Sequence, residues 1–229
     1  MHQVGPLKNP VNDSRDMRDL LKKLGFRVHH LENADQQEME NAIHEFGRNL
    51  GDKKGLGLFY YAGHGMQVSG RNYLIPVRAR IRAEHQIKYT SVDIGLVLDE
   101  MDVANNCLNI VILDACRDNP FQRSFRSSAQ GLAQVGDSPN GTLIAYATSP
   151  GHTASDGEGR NSPYTKALLK YLREPGRSIT RVFQSVRKEV LKSSANRQRP
   201  WETTFLTDEL ILVAGGSAFY NTTDVPLIV

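Results

Sequence analysis

The chain has 229 residues, of which 39% are hydrophobic and 23% charged, with a formal net charge of +3. That length supports one well-buried core, and the composition excludes a disordered or fibrous chain. The basic residues are dispersed rather than gathered into a run, so nucleic acid is not an expected partner.

Asn12 or Asp13 caps a helix predicted over Val11 to Gly25, with Met17, Leu20, Leu21 and Leu24 at helical spacing and Gly25 as the stop. Phe26 to Leu31 alternates as a strand, and Asp35 to Leu50 repeats apolar residues at helical period. Leu56 to Ala62 and Leu108 to Leu113 are short continuous apolar runs, as expected of strands buried on both faces. Ser91 to Met101 reads as the crossover helix between them, which makes the two strands parallel.

Arg117 to Asn140 has little periodicity and reads as a long mobile surface loop. Thr142 to Ala147 is a further buried strand, followed by helices over Ser162 to Leu172 and Ile179 to Ser193. The reading is one α/β domain over 1–229 with a mostly parallel sheet flanked by helices.

No apolar run approaches the roughly 20 residues of a membrane span, so no membrane association is expected. Met1 to Pro6 lacks the pattern of a secretory signal, and the cytoplasm is the default expectation. Cys107 and Cys116 are too few for a disulfide framework and suit a reducing compartment, although a single bridge stays open.

In an open α/β sheet the chemistry gathers just beyond the carboxyl ends of the strands. Gly63-His64-Gly65 follows one buried run and Asp114-Ala115-Cys116-Arg117 follows another. The glycines flanking His64 allow a tight backbone turn and an unobstructed N–H for a substrate oxygen. A nearby imidazole can lower the pKa of a cysteine thiol or pass a proton to a leaving amine. Either residue alone would more readily be structural, and the pair at matching strand ends is what points to catalysis. Cys107, at the opposite end of its strand, reads as structural.

Phe59 to Gly65 together with Ile112 to Arg117 resembles the caspase-like peptidases, closest to the bacterial metacaspase-like or orthocaspase branch. Leu7 to Asp13, Tyr146 to Gly151 and Arg199 to Thr203 extend the resemblance over most of the chain. It implies a three-layer caspase-like sandwich, with a large-subunit-like part over 1–122, the loop over 117–140, a small-subunit-like part over 141–215 and a tail over 216–229.

The resemblance further implies a thiol endopeptidase whose dyad is His64 and Cys116, with Gly65 and Cys116 giving the oxyanion N–H groups. Metacaspases and paracaspases prefer Arg or Lys before the scissile bond, and Asp13 and Asp114 match two acidic residues of their specificity pocket. A carboxylate-lined pocket accepts a cation and rejects an acidic side chain. Taken singly, Asp13 also suits a helix cap and Asp114 a strand-end hydrogen bond. Asp156 is a candidate for the pocket's border, with an ordinary polar turn as its alternative. Arg123 and Arg126, in the loop after Cys116, are candidate self-cleavage points.

Family members begin with a buried strand ahead of the segment matching Val4 to Asp13, and here Met1-His2-Gln3 stands in its place. The expectation is a truncated start that leaves a slot in the sheet. Leu210 to Val213 and Val225 to Val229 are the alternative fillers, and Pro226 speaks against the second as a central strand. Arg78 to Glu84 is predominantly basic where a calcium loop would be acidic, so no metal and no cofactor are expected. The sequence reads as a monomeric cysteine endopeptidase acting on peptides or proteins after Arg or Lys. A caspase-like binding or scaffold module is the alternative.

Overall fold

The computed structural model describes residues 6–53, 55–106, 108–116, 132–136, 138–150, 152–214 and 226–228, with the backbone alone at 52, 53, 116 and 226–228. In chain order the elements are α1 (Pro10–Lys23), β1 (His29–His30), α2 (Gln36–Lys53), β2 (Leu56–Val68), β3 (Arg71–Ile75), α3 (Ile87–Thr90), β4 (Val92–Asp93), α4 (Ile94–Val103), β5 (Leu108–Cys116), β6 (Thr142–Tyr146), α5 (Pro163–Tyr171), α6 (Ile179–Ser193), β7 (Trp201–Thr204) and β8 (Pro226–Ile228). The central sheet runs β1-β8-β2-β5-β6-β7, with β3 pairing β2 and β4 pairing β3. β7 is antiparallel to β6, and the other neighbours along this path are parallel.

Strict alternation along the buried strands builds the three layers. Leu58 and Tyr60, Ile110 and Ile112, Leu143 and Ala145 face a core shared with α1, α5 and α6. Phe59 and Tyr61, Val111 and Leu113, Ile144 and Tyr146 face a second core shared with α2 and α4. Such strands read as continuous apolar runs because both faces are covered.

Four expectations change. The slot left by the expected first strand is occupied: β8 lies between β1 and β2, parallel to both, with Leu58 opposite Pro226 and Tyr60 opposite Ile228. Pro226 is the first residue of that strand, one of the few sheet positions where a missing N–H is tolerated. β2 does not end at Ala62 but continues through Gly63-His64-Gly65 to Val68 and folds back as β3. Ser69 and Gly70, with φ of 50° and 81°, form the two-residue turn whose twist suits a hairpin.

The extended segment around Val28 narrows to the two-residue β1, because among the described residues only His29 and His30 of this segment find strand partners, on β8. The fourth change concerns the long loop: 117–131 lie outside the described residues, but its later part is anchored. Leu132 is 1% exposed within the second core. Asn72 of β3 clamps the next residue, donating to the Ala133 carbonyl at 2.8 Å and accepting its N–H at 2.6 Å.

Candidate active site

β2 and β5 run parallel with His64 in register with Cys116 and Ala62 with Asp114. Adjacent strands lie about 4.8 Å apart, so the His64 and Cys116 backbones are immediate neighbours. The glycines beside His64 serve close packing rather than a tight turn. A Cβ on Gly63 would lie 2.5 Å from the Tyr61 hydroxyl, and one on Gly65 would lie 2.9 Å from the Ala115 Cβ and 3.1 Å from Leu132 Cδ2. The Tyr61 hydroxyl donates to the His64 carbonyl at 2.7 Å and also approaches the Ile75 carbonyl at 3.2 Å, tying the His64 backbone to β3.

Asp114 continues the face of Ile110 and Ile112 and is 3% exposed. Its Oδ2 accepts from the Ser162 hydroxyl at 2.5 Å and from the Thr165 hydroxyl at 2.6 Å. A hydroxyl carries one proton, so with Thr165 donating to Asp114, the Tyr60 hydroxyl, 2.6 Å from Thr165 Oγ1, donates to Thr165. The other oxygen, Asp114 Oδ1, is buried and has no hydrogen-bond partner among the described residues. A buried carboxylate oxygen without a donor is costly.

Asp13 lies beside this network. It is not the helix cap: α1 starts at Pro10 after Asn9, and Asp13 sits in the first turn, 2% exposed. Its carboxylate accepts from the Ser162 N–H at 3.1 Å, so the start of α5 touches both acids. Burial, and then the charge of Asp114, push the Asp13 carboxyl up to about 8. Burial also pushes Asp114 up, to about 6, against the pull of the Ser162 and Thr165 hydroxyls.

Asp156 belongs to the same neighbourhood, and its charge raises both acids. Its carboxylate is engaged, accepting from the Lys8 N–H at 2.6 Å and the Asn9 N–H at 3.3 Å. Asn9 donates in turn to the Asp156 carbonyl at 2.5 Å. The 155–159 turn is thereby stapled to the start of α1, which has no side-chain cap of its own.

Sequence reading missed Ser162, Thr165 and Tyr60. Ser162 carried a local signal, since Ser followed by Pro opens a helix, and here its hydroxyl caps α5 by accepting from the Thr165 N–H at 2.9 Å. That the same hydroxyl meets Asp114 depends on the packing of α5 against β5 and is invisible locally. Arg123, Arg126 and Cys107 lie outside the described residues. Among the described residues no group of three or more His, Cys, Asp or Glu is arranged to hold a metal ion, and no helix is long and apolar enough to cross a membrane.

A six-stranded, mostly parallel sheet flanked by helices on both faces is the architecture of the caspase fold. The caspase domain family model matches residues 1–211, and the chain belongs to that family of cysteine peptidases.

The chain is 36% identical over 113 residues to mucosa-associated lymphoid tissue lymphoma translocation protein 1 of Homo sapiens, and equally so to its homolog from Mus musculus. Each match takes in 48% of this chain and 13% of the relative, so only a small part of either relative is represented. Among solved structures, caspase-1 from Spodoptera frugiperda superimposes with a TM-score of 0.62 at 21% identity, covering 95% of this chain and 86% of the other. A structure titled pro-sf-caspase-1 gives 0.68 at 19% identity, covering 95% and 87%. These two likenesses concern the fold.

Proposed function

We propose that the chain is an endopeptidase that cuts after Arg or Lys, with His64 and Cys116 as its dyad. The observation that carries the specificity is the buried acid pair beside the dyad, with Asp114 Oδ1 lacking a donor and Asp13 held in place by the Ser162 N–H. A guanidinium or ammonium group supplies what that pair lacks: donors for the free oxygen, and positive charge for two acids whose proton affinity is raised by burial and, at Asp13, by the charge of Asp114. An aspartate side chain in the same place would add a third charge of the same sign.

In the reaction, the Cys116 thiolate attacks the carbonyl carbon after the basic residue, and the oxyanion rests on the N–H groups of Gly65 and Cys116. The C–N bond breaks as the protonated His64 gives its proton to the departing nitrogen, leaving a thioester. Water, deprotonated by His64, then attacks the thioester and releases the acid and the thiolate. The nucleophile must remain a free thiol, which agrees with a reducing, cytoplasmic setting. The motifs from Leu7 to Thr203 favour the metacaspase-like branch for this activity.

Hydrolysis of fluorogenic peptides ending in Arg, Lys or Asp tests the reading, with Cys116→Ala as control and calcium either present or chelated. Turnover of the Arg and Lys peptides, lost in Cys116→Ala and indifferent to chelation, is the expected result. Preference for Asp sinks the pocket, and a folded chain without turnover favours a binding module.

A further inference from the structure

A recess opens on the flank of His64 away from the acid pair, a cavity of about 710 Å³ within the roughly 300–1,000 Å³ of ligand pockets. Helix α1 separates it from the acid pair: Pro10, Val11 and Ser14 line the cavity, while Asp13 is turned to the Ser162 N–H. Leu31, Met39, Ile75 and Ile81 contribute apolar lining, and Gly63 and His64 form the wall nearest the dyad. The rim carries Arg78, Arg80 and Arg82, all exposed.

The alternation from Arg78 to Arg82 is built into the backbone. Ile81 is 1% exposed and packs with Met66, Tyr73 and Ile87, whereas the arginines on either side point to solvent. The Val77 N–H donates to the Ala34 carbonyl at 3.1 Å, fixing this segment to the loop before α2. Among the described residues, none of the three guanidinium groups has a hydrogen bond or a carboxylate partner. The one acid lining the cavity, Glu32, is occupied by Arg15 through two bonds of 2.7 and 2.6 Å. The recess is therefore apolar inside and positive at its mouth.

We infer that this cavity is a leaving-side subsite, taking a bulky apolar residue directly after the scissile bond and acidic residues in the next few positions. The inference rests on the peptidase reading above. A general acid must lie within hydrogen-bond reach of the nitrogen it protonates, so the residue that departs is the one held against His64. Ile75 is the register partner of His64, and Arg78, Arg80 and Arg82 follow it along the chain. At about 3.3 Å per residue, Arg78 lies no more than roughly 10 Å from Ile75, which is itself about 5 Å from the His64 backbone, so its backbone comes within roughly 15 Å of the dyad, a reach of about four residues after the cut. Exposed charge pairs are individually weak, and three acting together give about a tenfold preference that fades with salt.

The test uses quenched peptides sharing Arg before the bond and Leu after it, followed by either Asp-Glu-Asp or Lys-Ser-Lys. An Arg coumarin amide, which has no residues after the bond, is measured in parallel. The expected result is a kcat/KM ratio of about ten in favour of the acidic peptide, reversed by combining Arg78→Glu, Arg80→Glu and Arg82→Glu. Coumarin release with a peptide ratio near one, or a ratio that the triple variant leaves unchanged, overturns the subsite while the peptidase stands. Without coumarin release the peptidase reading itself fails, and fluorescence polarisation of labelled Leu-Asp-Glu-Asp then decides. Binding weakened about tenfold by the triple variant keeps the subsite, and absent or indifferent binding overturns it.

Discussion

The two flanks of α1 treat charge in opposite ways. On one, Asp13 and Asp114 are almost wholly buried and tied to the start of α5. On the other, three arginines stand exposed around an apolar recess. The same Coulomb attraction is several-fold stronger where water is excluded than at a wet rim. Recognition before the bond should therefore be near absolute, and recognition after it a matter of preference.

The largest effect should come from Asp114→Asn. Loss of one partner of a desolvated charge pair costs several kcal/mol, so kcat/KM for Arg peptides should fall by at least about 100-fold. Circular dichroism would establish that the fold is retained. A loss below about threefold would mean that the buried flank does not read the cation.

The pH dependence of stability comes next. Both acids bind protons more tightly in the folded chain than at the ordinary carboxyl value of 3.8, reaching about 8 for Asp13 and about 6 for Asp114. The folded state therefore carries more protons, and their contribution to stability, complete below pH 3.8, is lost as pH rises towards about 8. Thermal melts of the unliganded chain should show this fall, and Asp13→Asn should flatten it. A ligand bearing a guanidinium group should raise the melting temperature more at pH 8 than at pH 5.

A smaller effect is expected on β2, beside His64. Gly65→Ala drives a Cβ against Ala115 and Leu132, an overpacking worth about 1–3 kcal/mol in chemical denaturation. Smallest of all, Arg80→Ala should change the acidic-to-basic peptide ratio by less than about threefold, as befits an exposed charge. An effect there as large as that of Asp114→Asn would erase the contrast between the flanks.

Much of this architecture is written locally. The runs at Leu56, Leu108 and Thr142 declare strands covered on both faces, and Ile179 to Ser193 is found as a helix with the bounds its periodicity gave. His64 lies inside β2 rather than beyond its end, whereas Asp114 is two residues short of the end of β5. The β2–β3 hairpin was missed although Ser69-Gly70 is a turn dipeptide, because the apolar pattern had already lapsed at Gly63. What could not be read is what distant segments decide: Ser162 completing an acid pair from α1 and β5, or Asp156 accepting from the N–H groups just ahead of α1. The basic run at Arg78 was legible as charge, but its place beside the dyad follows only from the pairing of Ile75 with His64.

The placement of β8 bears on how the chain reaches this shape. The sheet is closed between β1 and β2 by a strand whose partners, such as Leu58 and Pro226, are among the most widely separated in sequence. Contacts of such separation form late and slowly, since a long loop must close before they contribute. During synthesis, β2 and β5 emerge well before Pro226, leaving one side of β2 as an open edge able to pair with another chain. A strand that arrives after β2 and β5 is thus the one that shields the middle of the sheet, and a nascent chain stalled short of it would be the form most in need of a chaperone.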